Sequence, residues 1–143
     1  MPNIPYGQAP PGGDVGIVSD VLANDSDKSL TVPAGEFWEI QAIGVNYTSQ
    51  TTAGNRRLAL SISDGTNVFF LTCMGATQAV TLVYDYTWAP QLANMATVVN
   101  LTLTAGLPVM VLPPGYIIRV WDIAAIAPTL DDMLVYISRK VYK

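Results

Sequence analysis

Few residues in this chain are able to do chemistry. There is no histidine, and Cys73 is the only cysteine among 143 residues. Without histidine there is no Ser–His or Cys–His nucleophile pair, and the commonest transition-metal ligand is missing. One cysteine excludes an internal disulfide and a cysteine-based structural zinc site. No GxxxxGK[ST] or GxGxxG loop offers backbone amides to a phosphate. Carboxylates and aromatics remain. The only glutamates, Glu36 and Glu39, lie at opposite parity in one strand-like run, so they should face different sides. A glycosidase needs two carboxylates about 5–9.5 Å apart across one sugar. Asp85 could supply a second carboxylate from another strand, but no spacing selects it.

Two short clusters, Asn24–Asp27 (NDSD) and Leu130–Asp132 (LDD), carry oxygens of the kind Ca²⁺ takes. Neither has the glycine and distant glutamate of an EF-hand loop, and such clusters ordinarily make turns and caps. Trp38, Trp88 and Trp121 would form a sugar-stacking platform if exposed. Each lies inside a strand-like run, which favours core or interface. The expectation is a protein with no catalytic residue, no metal and no cofactor.

The elements that would position these groups read as strand after strand. In "RRLALSIS", Leu58, Leu60 and Ile62 share one face, with Arg57, Ser61 and Ser63 on the other. Asp64-Gly65 follows, a hairpin signal. The return run "NVFFLTCM" is apolar on both faces and predicts a central strand buried on two sides, with Cys73 a buried, inert thiol. "AVTLVYDYTW" puts Val80, Leu82, Tyr84, Tyr86 and Trp88 on one face; "ATVVNLTLT", "LPVMVL", "YIIRVWDI" and "MLVYISRKVY" complete the set. "APQLANMA" offers one helical turn at most. In "EFWEIQAIGVNYTS" the apolar face is even-numbered at Trp38, Ile40 and Ala42, then odd-numbered at Ile43, Val45 and Tyr47. That flip predicts a β-bulge beside Gly44, or a bend where the strand crosses between sheets. The fold expected is all-β: an antiparallel, jelly-roll-like β-sandwich of about eight or nine strands over residues 29–143.

Residues 1–28 differ. Pro2, Pro5, Pro10 and Pro11 mix with Gly7, Gly12, Gly13 and Gly16, a composition that predicts an extended arm, with a turn near "DVLANDSD". Its large apolar groups, Ile4 and Tyr6 among Pro5, Pro10 and Pro11, are the candidate anchors on a partner. "MPNIPYGQAPPGG" has no signal-peptide pattern and reads as the intact start of a protein made inside a cell.

Composition sets the partner classes. Half the residues are apolar, 13% are charged and the mean hydropathy is +0.33. Ordinary soluble domains carry roughly 25% charged residues. No apolar run approaches the roughly 18 residues needed to span a bilayer as a helix. So apolar a chain predicts concealed surface in an oligomer or larger assembly. A net charge of −4, with seven scattered Lys and Arg, argues against nucleic acid. Arg139, Lys140 and Lys143 read as a solvated tail.

Two stretches share one punctuation: Val32-Pro33-Ala34-Gly35 before Trp38, and Leu112-Pro113-Pro114-Gly115 before Ile118. Pro33, Gly35, Pro113, Pro114 and Gly115 should make corners on one rim of the sandwich, each ending one strand and launching the next. With "RRLALSISDGTNV", these stretches resemble small β-sandwich virion proteins of tailed bacteriophages, over residues 29–143. The resemblance implies a jelly-roll-like capsid decoration (cement) protein. Such a protein would be a homotrimer, made in the bacterial host cytoplasm and bound to the major capsid protein on the virion surface. Tail adaptors, head-fibre bases and receptor-binding, carbohydrate-binding tips are the alternatives that small sandwiches also serve.

Overall fold

The computed structural model describes residues 14–143, which form ten strands in two sheets. They are β1 (Asp14–Asp20), β2 (Asp27–Thr31), β3 (Phe37–Thr48), β4 (Leu58–Ser63) and β5 (Val68–Cys73). The second half supplies β6 (Val83–Ala89), β7 (Thr102–Gly106), β8 (Val111–Leu112), β9 (Ile117–Asp122) and β10 (Asp132–Tyr142). One sheet runs β1-β10-β3-β6-β7, with β8 paired to the first part of β3; the other runs β2-β9-β4-β5. No helix occurs among the described residues, so 89–96 is irregular chain with one turn at Ala89–Leu92.

The order follows from a single folded ribbon. β1 pairs β10, β2 pairs β9, β3 pairs β6 and β4 pairs β5, all antiparallel. These four pairs alternate between the sheets, and the β4–β5 hairpin closes the far end. An antiparallel ribbon wrapped in this way is a jelly roll. Between the sheets lies a core of Trp38, Tyr47, Tyr86, Trp88 and the aliphatic residues around them.

The structure corrects several strand assignments. Residues 14–20, assigned by sequence to an arm ending at 28, form edge strand β1 along β10, and β2 begins at Asp27. β7 runs parallel to β6, reached through a loop in which Asn100 and Leu101 take positive φ. β5 is an edge strand: Phe70 faces Ile62 and the core, while Phe69 is 57% and Leu71 60% exposed. The strand buried on both faces is β4, whose outer-face Ala59 and Ser61 are small and lie between the side chains of β5 and β9. Alternation could not reveal this, because burial of the outer face depends on which strands flank it.

A bulge does accommodate the phase flip in β3, but at Gln41. Ala42 pairs Ser138 and Ile40 pairs Arg139, leaving Gln41 without a partner. Trp38 and Ile40 before the bulge, and Ile43, Val45 and Tyr47 after it, therefore all point inward. β3 stays in one sheet and changes neighbour there, from β8 to β6.

The two proline–glycine corners are alike in geometry. Glu36 N–H donates to Pro33 O (3.2 Å) and Tyr116 N–H donates to Pro113 O (3.3 Å). Gly35 and Gly115 occupy the third position at φ of 79° and 85°, as a type II turn requires. Val32 N–H donates to Tyr116 O and Gly115 N–H to Val32 O, so the corners lie side by side. A Cβ on either glycine would meet nothing within 4 Å, which leaves backbone strain as the cost of substitution. Gly35→Ala and Gly115→Ala should each lower unfolding free energy by about 1 kcal/mol while keeping the fold, read from urea midpoints at unchanged m-value.

Candidate functional site

The carboxylates raised as candidate chemistry are not gathered into one site. Glu36 accepts from Trp38 Nε1 (2.8 Å), Glu39 accepts from the Tyr142 hydroxyl (2.5 Å), and Asp85 accepts from Asn46 Nδ2 (2.9 Å). Trp38 and Trp88 are buried in the core. Trp121 is half-buried under the Arg119 guanidinium, 4.4 Å from its ring centre, so the three make no exposed platform. Asp27 holds Arg119 there through two bonds of 2.9 and 2.7 Å. Among the described residues no group of three or more carboxylate or thiol side chains could hold a metal ion. Cys73 is half-buried at the end of edge strand β5.

Asn24 and Asp25 of the NDSD cluster help to surround an internal cation. Lys28 Nζ donates to Leu22 O (2.6 Å), Asn24 Oδ1 (2.5 Å) and Asp20 Oδ1 (3.3 Å), with Asp25 Oδ1 at 3.7 Å. Its side chain is 3% exposed. Lys28 points inward from β2, so the 20–25 loop folds over its ammonium, which sits where a bound cation would sit. Millimolar Ca²⁺ or EDTA should leave the melting temperature unchanged, whereas Lys28→Met should lower it by stranding Asp20 and Asn24; scanning calorimetry reads both.

The LDD segment supplies one of the most highly connected groups among the described residues. Asp131, fully buried, accepts from Arg56 Nε (2.8 Å) and Nη2 (3.1 Å), from Gln50 N–H (2.7 Å) and from the Tyr47 hydroxyl (2.8 Å). Arg56, also fully buried, donates to Gly54 O (2.7 Å) as well. Gln78 extends the network. Its Nε2 donates to Tyr47 O (3.0 Å) and Leu82 O (2.8 Å), its Oε1 accepts from Tyr86 (2.8 Å), and its backbone bridges Arg56. Nothing in the sequence pairs Arg56 with Asp131. They are 75 positions apart, and Arg56 reads as one of several scattered basic residues.

Burial alone would push the Asp131 carboxyl up. The Arg56 bonds, the Gln50 amide and the Tyr47 hydroxyl outweigh it and hold the group below its usual 3.8. Burial, then the Asp131 carboxylate, pushes the Tyr47 hydroxyl above its usual 10.0. Asp131 therefore contributes stability in full above the unfolded value and loses it as pH falls through the folded one. Tyr47 contributes in full below its unfolded value and loses it as pH rises. Unfolding free energy measured across pH should be flat between these limits and fall on both sides. Arg56→Met should cost about 3–5 kcal/mol at neutral pH, and Arg56→Met/Asp131→Leu should recover only part of that, because it removes the stranded carboxylate but leaves the Gln50 amide and the Tyr47 hydroxyl without their acceptor.

The remaining feature is apolar surface. A cleft of about 270 Å³ opens between β5 and β8, lined by Ile62, Phe69, Phe70, Met110, Val111 and Tyr116 among others, none charged. Phe69 is the bulged residue of β5 and stacks on Tyr116 at 5.4 Å, beside the second proline–glycine corner. Val68, Leu71 and Val109 stand exposed nearby along β5 and the 107–110 loop, and Val15 and Ile17 stand exposed on β1 at the opposite flank. Sequence reading missed this surface because it buried β5. The corners Pro33, Gly35, Pro113, Pro114 and Gly115 do not line the cleft, although Leu112 and Tyr116 on either side of the second corner do, and the arm candidates Ile4, Pro5, Tyr6, Pro10 and Pro11 lie outside the described residues.

No family model matches the chain, and no curated protein does. Among solved structures it is similar to a chain described as "Structure of infectious bursal disease virus Gx strain", at 13% identity and a TM-score of 0.28. The match covers 91% of this chain and 42% of that one, so this chain spans less than half the length of its match.

Proposed function

We propose that this chain is a structural protein of a virus particle, specifically a bacteriophage capsid decoration (cement) protein. It would bind the major capsid protein lattice and stabilise the head without catalysis. The observation that carries this reading is the exposed apolar surface on both flanks of the sandwich, uncharged along β5 and the cleft. Ile17 on β1 is 71% exposed and Val109 beside the cleft 73%. Isolated exposed apolar residues are ordinary, but edge strands with bare apolar side chains are normally blunted by charge, proline or cover. β5, "VFFLTC", has no charge and no proline. Neighbouring proteins in a lattice would supply the missing cover.

The resemblance of the two proline–glycine corners and the β4 hairpin to phage virion sandwiches supports the same reading. So does the dispersal of carboxylates into separate structural bonds. Apolar burial of roughly 25 cal/mol per Å², less ordering costs, makes each contact modest, and repetition over a lattice sums them. The protein would act as a homotrimer, with Ile4 and Tyr6 of the N-terminal segment contributing to the contacts between copies on the shell.

The test is to add purified protein to undecorated phage shells and to search purified virions for the chain by mass spectrometry. Saturable binding and a fixed copy number per virion are expected; absence from virions together with no shell binding would overturn the reading. Deleting residues 1–13, which leaves β1 whole, should weaken shell binding by about tenfold or more. Unchanged affinity would remove that segment from the contact.

A further inference from the structure

We infer that the apolar cleft between β5 and β8 receives the N-terminal segment of a second copy of this chain, with Ile4 and Tyr6 as its anchors. This deepens the self-association part of the reading above and rests on that part alone.

The match is first chemical. The cleft is lined by Phe69, Phe70 and Tyr116 with Pro108, Met110 and Val111, and no lining residue is charged. Residues 1–13, MPNIPYGQAPPGG, contain no charged side chain, four prolines and two large branched or aromatic groups. Proline-rich segments dock on aromatic-lined grooves because their low conformational freedom reduces the entropy lost on binding. At about 270 Å³ the cleft is smaller than ordinary ligand pockets of about 300–1,000 Å³ and suits anchoring side chains.

The segment's point of departure favours a second copy as well. Asp14 begins β1 and stands in one row with Val141 of β10, Trp38 of β3 and Leu112 of β8. The segment therefore leaves at the level of the cleft, but from the opposite flank, about 14 Å away at three strand spacings. The direct path to the cleft of its own copy crosses the outer face of the sheet. There Glu39, Tyr142 and Lys140 form a polar cluster: the Tyr142 hydroxyl donates to Glu39, and Lys140 Nζ lies 5.6 Å from the Tyr142 ring centre. A second copy set flank to flank avoids that crossing. Ten residues, 4–13, extend about 31 Å at the polyproline rise, ample for a neighbour. Donor flank and acceptor flank differ, so the contact is heterologous and closes into a ring if the rotation between copies permits.

The experiment uses the full chain in a Cys73→Ser background. Chains carrying Tyr6→Cys are mixed with chains carrying Val111→Cys and oxidised mildly, and cross-linked peptides are identified by mass spectrometry. A 6–111 link between different chains is expected, and its absence overturns the inference. A double variant, Tyr6→Cys/Val111→Cys, that links only within one chain would also overturn it, by placing the segment on its own copy. Independently, Ile4→Asp/Tyr6→Asp should weaken self-association about tenfold or more by sedimentation, with the circular dichroism spectrum unchanged. Unaltered association would overturn the inference as well. Failure of the virion reading is separately visible: the 6–111 link would form while the chain was absent from particles.

Discussion

The buried pair of Arg56 and Asp131 is the interaction on which one end of this sandwich depends. A jelly-roll ribbon must cross repeatedly from sheet to sheet, and its longer crossings are loops whose backbone polar groups cannot all pair in a ladder. Three of those crossings, 49–57, 74–82 and 123–131, meet at this pair. Arg56 takes the carbonyls of Gly54 and Gln50, Asp131 takes the Gln50 amide, and Gln78 takes the carbonyls of Tyr47 and Leu82. Two opposite charges inside a core gain little net free energy from each other. Their value lies in the number of directed bonds they offer at fixed positions. Tyr47 and Tyr86 extend the network from the core itself, so the hydrophobic layer and the loop end are joined.

The opposite end is built on other terms. Two type II corners reverse the chain in four residues each and satisfy one another through backbone bonds, so no side-chain network is needed. That economy leaves room beside them for the cleft and for the bare edge of β5. The molecule thus separates its tasks: polar bonds hold the loop end, and the short-cornered end and flanks present apolar surface. Lys28 follows the first rule on a smaller scale, gathering the oxygens of the 20–25 loop around its ammonium.

Several features were legible in the order of residues because local geometry dictates them. Alternation in "RRLALSIS" and "FWEIQAIGVNYT" marks strands, and the parity change in the latter demands an extra residue somewhere near its middle. Glycine after proline in the two corners is legible for a similar reason, since a type II turn needs positive φ at its third position. The misplacement of the bulge by three residues has a plain cause. Ile40 and Ile43 bracket the slip, but only the β10 register decides that Gln41 is the residue left over.

Taken alone, the sequence determined an all-β chain, its corner positions, its excess of apolar residues and its lack of histidine chemistry. These depend on φ/ψ preference, on period-two patterning and on composition, all local or summed properties. Only the tertiary structure decided that β5 is an edge and β4 a centre, that residues 14–20 join a sheet, and that β7 runs parallel to β6. It alone brought Arg56 to Asp131. Each of these depends on which segments become neighbours across tens of residues. That choice is made by the burial and hydrogen-bond satisfaction of the whole ribbon, which no single stretch encodes.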